Sequence, residues 1–338
     1  MTVALQSTNP TLADWMKSLA PDGSVLAAAN LLAQTNEILE DMVLQQGNLP
    51  TGHRMEVVTG LPEAYWRSYN MGLPPSKAVT AQIDEQIGML GQYSRVDKDI
   101  ADLNGNTAQY RTNKDRVHIE AMNQGMANGF IYGNPANDSR EFMGLSTRYS
   151  SLSADNAQNI IDAGGTGSKL TSIWMVVWSP STVFALFPKG SKAGLEIKDH
   201  GEQTVYDENN NPFQAYQRYY SWKTGLAVQD WRYVVRIANI QMDPSKPDFI
   251  GNTGGQDLLK LMSHALDRPN NLSMGKPAFY MNRSVFGYLR TQSLDKSNNA
   301  LSVNDAVTQF GTPTKWLSYQ EVPLRKVDAI LNTEQQIV

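Results

Sequence analysis

The sequence predicts an α+β protein, and three observations carry that expectation. Two strand–turn–helix units stand about a hundred residues apart, at Ser172–Phe187 and Lys276–Gln292. The stretch from Val79 to Tyr93 alternates apolar and polar residues with the period of two that a strand shows. One long segment, Thr107 to Gly133, carries an apolar stripe at helical spacing. At 338 residues the chain is long enough for two domains.

Composition narrows the function classes. Hydrophobic residues make up 41% and charged residues 18%, which leaves room for a sizeable core. A formal charge of −4 argues against a protein that coats nucleic acid, because phosphate binding needs clustered Lys and Arg. Cysteine is absent, which excludes disulfides, a thiolate nucleophile and a Cys-based zinc site, and suits a reducing cytoplasm. The opening "MTVALQSTNPTLADWMKSLAPDG" has no basic region followed by an apolar core, so no secretory signal is expected.

Residues 1–50 read as an arm. "LADWMKSLA" and "SVLAAANLLAQTNEILEDMVL" predict helices, the second opened by Asp22-Gly23-Ser24 and closed near Gln46-Gly47-Asn48. Farther on, Val79, Ala81, Ile83, Ile87 and Met89 alternate with Thr80, Gln82, Asp84 and Gln86, and Glu85 alone breaks the apolar side. The spacing predicts one strand on the order of 45 Å long. Its partner is the Arg54–Tyr69 region, interrupted at Gly60-Leu61-Pro62, and "NMGLPPSKA" has the Gly and Pro of a hairpin tip. A hairpin of that length outruns any compact domain of its own and calls for another surface.

The helix predicted from Thr107 has Asn106 as its cap and Gly133-Asn134-Pro135 as its stop. Ile119, Met122, Met126 and Phe130 form its stripe, and Gly125 and Gly129 allow another element to approach closely. The apolar runs "IWMVVW" and "VFALF" are separated by Ser179-Pro180-Ser181, so each falls well short of the roughly 20 residues of a membrane span. Ser172–Trp178 predicts a buried strand, after which Pro180, with Ser179 as N-cap, opens a short helix through "TVFALF". In "GLAVQDWRYVVRIANIQMD", Trp231, Tyr233, Val235 and Ile237 alternate with Arg232, Val234, Arg236 and Ala238, a strand with one wetter face. The second unit repeats the first, with Asn282 capping a helix that carries Val285, Phe286 and Leu289, and Val322–Leu331 reads as a last strand.

No catalytic constellation survives inspection. "AGGTGSKL" has Gly167-Ser168-Lys169 ahead of a strand, where a phosphate loop needs Gly-Lys-Ser/Thr ahead of a helix. "GNTGGQDLLKLM" reads as a linker, Gly251–Gly255, with a helix entered at Gln256. His53, His118, His200 and His264 form no close metal-ligand pair, and His118 beside Glu120 reads as a solvated face. Asp199 and His200 are adjacent in a polar loop and point different ways, while Glu40-Asp41 reads as a solvated helix end. Lys189 and Lys192 lie on a loop, serving solubility or an acidic neighbouring subunit. Neither an enzyme nor a cofactor or metal is expected.

The order of these parts is distinctive. "QGNLPTGHR…GLP…WR…N…PPSKA" over Gln46–Ala78, "VDKDIADLNGN" and "AMNQGMANGFIYGNPA" together resemble the major capsid protein family of tailed bacteriophages. "WSPSTVFALFPKGSKAGL" and "GLAVQDWRYVVRIANI" are similar to its short-tailed (podovirus) branch, and the resemblance runs from about Leu49 to Ala329. It implies the Hong Kong 97-type shell fold. In that scheme residues 1–50 are the N-terminal arm, 51–95 the extended loop and 96–245 the peripheral domain with spine helix 107–130 and long strands. Residues 246–338 are mainly axial domain, with part of that domain within 150–205 and the segment order rearranged. The implied partners are copies of the same chain in pentamers and hexamers, a cement or decoration protein, a scaffolding protein and a portal. Packaged double-stranded DNA is contacted non-specifically and no membrane is involved. The chain would be made and assembled in the bacterial host cytoplasm and reside in the virion. Expected inter-subunit contacts are Asn70, Met71, Leu73, Pro74, Pro75, Lys77, Trp15, Lys189 and Lys192. No motif for a covalent Lys–Asn cross-link is present, so none is expected, nor is a cleaved N-terminal scaffolding segment.

Two alternatives remain at this level. One is a bacterial nanocompartment shell of encapsulin type, and the other a soluble α+β hydrolase or nucleotide-binding enzyme using the Gly-rich loops. The missing catalytic constellation and the uncovered Val79–Tyr93 strand favour the virion shell.

Overall fold

Backbone hydrogen bonding turns nearly every apolar run of the sequence into a strand. The computed structural model describes residues 34–103, 105–207, 209–242, 258–292, 301–307 and 313–338. In chain order these form α1 (Ile38–Asp41), β1 (Leu44–Gln46), β2 (Gly52–Gly60), β3 (Val79–Gln86), β4 (Gly88–Asp97), α2 (Lys98–Asp102), α3 (Thr107–Tyr132), α4 (Leu145–Arg148) and β5 (Ile160–Asp162). Then come β6 (Leu170–Trp178), β7 (Val183–Phe187), β8 (Leu195–Tyr206), β9 (Pro212–Val228), β10 (Val234–Gln241), α5 (Leu258–Leu266), β11 (Lys276–Met281), α6 (Arg283–Gln292), β12 (Leu301–Val307), β13 (Pro313–Tyr319) and β14 (Val322–Lys326). The "LADWMKSLA" helix, the Gly251–Gly255 linker and Gln256 lie outside the described residues. The chain divides into two compact units, one taking in Met89–Met126 and Gly194–Lys223, the other Thr35–Gly88, Ala127–Ala193 and Thr224–Val338.

The larger unit is built on β6. All nine of its residues are buried, which is why it reads as a continuous apolar run. It pairs antiparallel with β10 on one side and with β11 on the other. β11 continues in parallel to β14, then antiparallel to β13 and β12, while β5 pairs with β10. Ile173 and Met175 of β6 join Ile237, Phe279 and Met281 in a core that the apolar faces of α5 and α6 cover through Leu261, Met262, Val285 and Leu289. Asn282 caps α6 as expected, its side chain accepting from Ser284 N at 3.0 Å.

The opposite face of β6 holds buried polar groups. Arg236 is 3% exposed and pairs with Glu334 at 2.9 Å. Its guanidinium also donates to Ser172 Oγ and to the Tyr149 carbonyl, and sits 4.8 Å from the Trp174 ring centroid. Glu334 accepts from Ser172 Oγ and Tyr132 Oη at 2.5 Å each. Burial pushes the Tyr132 hydroxyl far above its ordinary range, and the Glu334 carboxylate adds to that. A second relay runs from Trp178 Nε1 to Tyr280 Oη at 2.7 Å and on to Asp41, which also pairs with Arg325.

The smaller unit joins the N-terminal part of α3 to the β8–β9 ribbon. Its small apolar cluster is Val96, Ala101 and Tyr110 with Tyr216 against it. Charge does much of the joining: Arg111 and Arg218 both pair with Asp199, at 2.8 and 2.9 Å, Arg218 also meets Asp115, and Lys98 pairs with Glu202 at 2.9 Å. Asp97 caps α2 by accepting from Asp99 N and Ile100 N. His118 is half-buried and stacks on Tyr220 with centroids 6.0 Å apart. Burial, reinforced by Lys114, holds its imidazole below the ordinary value.

Several expectations need correction. "TVFALF" is the strand β7, not a helix opened by Pro180. Ser179 to Thr182 form a turn closed by Thr182 N to Ser179 O at 3.1 Å, and β9 supplies a ladder for Val183–Leu186. Ladder bonds outweigh a helix too short to repay its nucleation. The helix expected over Ser24–Leu44 lies outside the described residues up to Ala33; from Gln34 onward only α1 is helical, because Asn36 bridges to Val327 and β1 pairs with β7. The single long strand is two, β3 and β4, parted at Ile87. There the chain crosses Gly225 so closely that a Cβ on that glycine would meet the Gln86 carbonyl at 2.4 Å. The partner of β3 is correspondingly shorter than Arg54–Tyr69, ending at Gly60.

Other corrections concern burial. The Trp231–Tyr233 segment is a 3₁₀ turn, and β10 has no wet face, since Arg236 is neutralised internally. Met122, Met126 and Phe130 are buried on α3, but Ile119 is exposed, because the packed positions of that region are polar, Asp115 on Arg218 and His118 on Tyr220. Gly133, not Gly125 or Gly129, is the position a side chain cannot share, with the Phe142 carbonyl 2.4 Å from a virtual Cβ. Asp41 is ion-paired instead of solvated, and His118 does not lie on a solvated face. The last strand stops at Lys326, where Ile330 N to Val327 O closes a turn.

Two outcomes follow. Glu334→Ala leaves Arg236 buried and unpaired and is expected to cost about 3–5 kcal/mol. The paired Arg236→Met/Glu334→Leu variant is expected to recover most of that in denaturant titration. Because the folded state depresses the His118 pKa, it favours neutral imidazole, so stability is full above about pH 6.5 and falls as pH drops below it. His118→Phe is expected to flatten the decline in melting temperature between pH 7 and 5, leaving the share due to His53, which burial also depresses.

Candidate assembly surfaces

β2 and β3 form a two-stranded hairpin that pairs with no other strand among the described residues. Pairing partners share a face, so His53–Glu85, Met55–Ile83 and Val57–Ala81 lie on one side and Arg54–Asp84 and Glu56–Gln82 on the other. The alternation read from the sequence is therefore real, with an apolar side and a polar side. Met55 packs into the cluster of Phe184, Leu186 and Ala227, but Val58, Val79 and Ile83 remain exposed.

The root is anchored by charge. Glu85, the residue that breaks the apolar side, is buried and takes both arms of the Arg148 guanidinium at 2.7 and 2.6 Å. Arg148 also donates to the carbonyls of Met143 and Leu226. His53, opposite Glu85, packs edge-on against Phe184, and burial holds its pKa down while Glu85 opposes the shift. Farther out, Arg54 and Asp84 form an exposed bidentate pair at 2.7 Å that keeps the Asp84 carboxyl below its usual range.

Beyond Gly60 the ladder stops and residues 61–78 form the tip. Asn70 adopts φ of 63° in its turn, a conformation Asn tolerates better than most residues. Arg67 Nε donates to Met71 O and Ser76 Oγ to Glu63 O, which ties the two legs together. Asn70, Met71, Leu73, Pro74, Pro75 and Lys77 all lie here, exposed. Lys189 and Lys192 are exposed on a different loop, after β7, with no ion-pair partner among the described residues. Trp15 lies outside the described residues. Sequence reasoning passed over Trp66 and Tyr69, 103% and 97% exposed, although two aromatics in a Gly/Pro-bounded loop were the available signal. It also passed over Arg148, for which no local signal exists.

Among the described residues no group of three His, Asp or Glu could hold a metal ion, and no helix is long and apolar enough to cross a membrane.

Comparison with known proteins then places the chain. A family model described as major capsid protein GP7 matches residues 20–338. No match is found among curated protein sequences. A chain in a cryo-EM structure of bacteriophage Epsilon15 is 30% identical with a TM-score of 0.75, covering 100% of this chain and 99% of that one. The bacteriophage JBD30 capsid is similar at 9% identity and a TM-score of 0.48, covering 89% and 92%. The SrpI encapsulin of Synechococcus elongatus PCC 7942 is similar at 11% and 0.46, covering 70% and 96%. Near-complete coverage by the family model and by the Epsilon15 chain means that this chain belongs to the major capsid protein GP7 family of tailed bacteriophages, a non-enzymatic, shell-forming component of the virion capsid with the Hong Kong 97-type fold.

Proposed function

We propose that the chain closes the head shell as pentamers and hexamers, and that the β2–β3 hairpin is the arm by which one subunit holds the next. The observation that carries this reading is the tip, whose large apolar side chains, Trp66 and Tyr69 foremost, are exposed. Exposed apolar surface of this kind marks an interaction site. A subunit interface repeated around a closed ring multiplies a modest contact. The Glu85–Arg148 anchor holds the root of the arm, so the tip is presented in one direction.

In this reading residues 51–86 are the extended loop and α3 is the spine helix. The smaller unit, with the N-terminal part of α3, β8 and the first part of β9, belongs to the peripheral domain. The axial domain is the sheet centred on β6 with α5 and α6, which draws on both 150–193 and the C-terminal part. The pairing of β6 with β11, and of β11 with β14, supports that rearranged order. Lys189 and Lys192 offer cations to an acidic neighbour. A cement or decoration protein, a scaffolding protein and the portal are further partners. A net charge of −4 suits a shell that confines double-stranded DNA without gripping it.

Deleting Asn70–Ser76 is expected to spare the fold, with an unchanged melting temperature, and to abolish closed particles in negative-stain electron microscopy. Normal particles from that deletion would remove the hairpin from assembly. Glu85→Ala is expected to loosen the root by about 3 kcal/mol, seen as roughly hundredfold faster amide exchange along Gly52–Gly60. Unchanged exchange would mean that the ladder alone fixes the arm.

A further inference from the structure

The apolar side of the hairpin lines a groove of about 460 Å³ that runs from Glu85 near its root to Val57. That volume lies within the roughly 300–1,000 Å³ of pockets that enclose drug-sized groups. Val57 and Ile83 of the hairpin line it together with Val228 and Trp231. Glu85 and Arg148 also line the groove and neutralise each other. Asp155 lines it too, exposed and without an ion-pair partner among the described residues, so the groove carries one uncompensated negative charge.

The tip has the complementary character. Trp66 and Tyr69 stand free of their own chain, and Arg67 and Lys77 outnumber Glu63. Trp, Tyr and Arg are the residues that most often anchor an interface by filling a pocket on the partner. The tip does not fill the groove of its own chain, since both aromatics are exposed.

Resting on the reading of the hairpin as an inter-subunit arm, we propose that the groove at its root receives Trp66 and Tyr69 from the hairpin tip of a second copy of this chain. Donor and receptor are then different parts of one element, the tip and the apolar side of its ladder. The contact is head-to-tail, and it generates rings when the rotation closes and open filaments when it does not. Arg67 and Lys77 meet the negative charge of Asp155, which sets the polarity of the contact.

The chain has no cysteine, so disulfide trapping has no background. Ser68→Cys, between the two aromatics, is combined with Gln229→Cys, which lines the groove. Oxidised particles of the double variant are expected to give a ladder of covalent oligomers rising to complete rings on denaturing non-reducing gels, and each single variant to stay monomeric. Normal particles in which this pair, and Asn70→Cys/Gln229→Cys, both remain monomeric would overturn the groove assignment. The arm itself would still stand, since its own test is the tip deletion. Should the cysteines prevent particles from forming, Ala154→Trp in the otherwise native chain decides, because it fills the groove. A folded protein with particle yield down about tenfold or more is the expected result, and undiminished yield of normal particles overturns the proposal.

Discussion

A guanidinium taken out of water constrains this structure more than any other single group. Arg236 sits in the middle of β10, on the face of the sheet away from α5 and α6, and an unpaired charge there would be intolerable. Glu334 neutralises it, the Tyr149 carbonyl and Ser172 hydroxyl complete its bonds, and Trp174 lies beneath. Each partner comes from a different part of the chain, so satisfying one side chain brings together β6, β10, the turn after α4 and the C-terminal segment. Asn239 adds to the hold on that segment, exchanging hydrogen bonds with the backbone of Ile337. The network is rigid because removing any member strands the others.

The same logic operates at the root of the hairpin. Glu85 occupies a position that pattern alone assigns to an apolar residue, and it is tolerated there because Arg148 answers it at both oxygens. A buried ion pair adds little net stability over well-packed hydrophobic residues, but its geometry is directional. That directionality fixes the course of a hairpin whose tip side chains are exposed. Apolar contacts such as Met55 on Phe184 supply adhesion, and the ion pair supplies aim.

Much of the fold was legible because its period shows locally. The β6 run, the capped α6 helix, the long α3 helix and the alternation along β3 are all written in neighbouring residues. The hairpin tip was legible for the same reason, since Gly and Pro punctuate it. The errors fall where a distant partner decides. "VFALF" has the composition of either element until β9 offers it a ladder. Residues 34–44 look helical until Asn36 meets Val327. Arg236 looks solvent-facing until Glu334, 98 positions away, comes to it.

The sequence by itself determined the class of protein, the existence of a long unpartnered hairpin, the absence of thiol chemistry and the family to which the ordered phrases are similar. Local chemistry is sufficient for these, because side-chain period, turn residues and composition act within a few positions. Tertiary structure alone decided where the Val79–Tyr93 stretch breaks, which charges are buried in pairs and that a groove opens beside the hairpin. Those outcomes depend on close approach between segments far apart in the chain, as where Gln86 crosses Gly225. Such contacts are set by packing and by the cost of stranding a buried charge, and neither is visible in any short stretch of sequence.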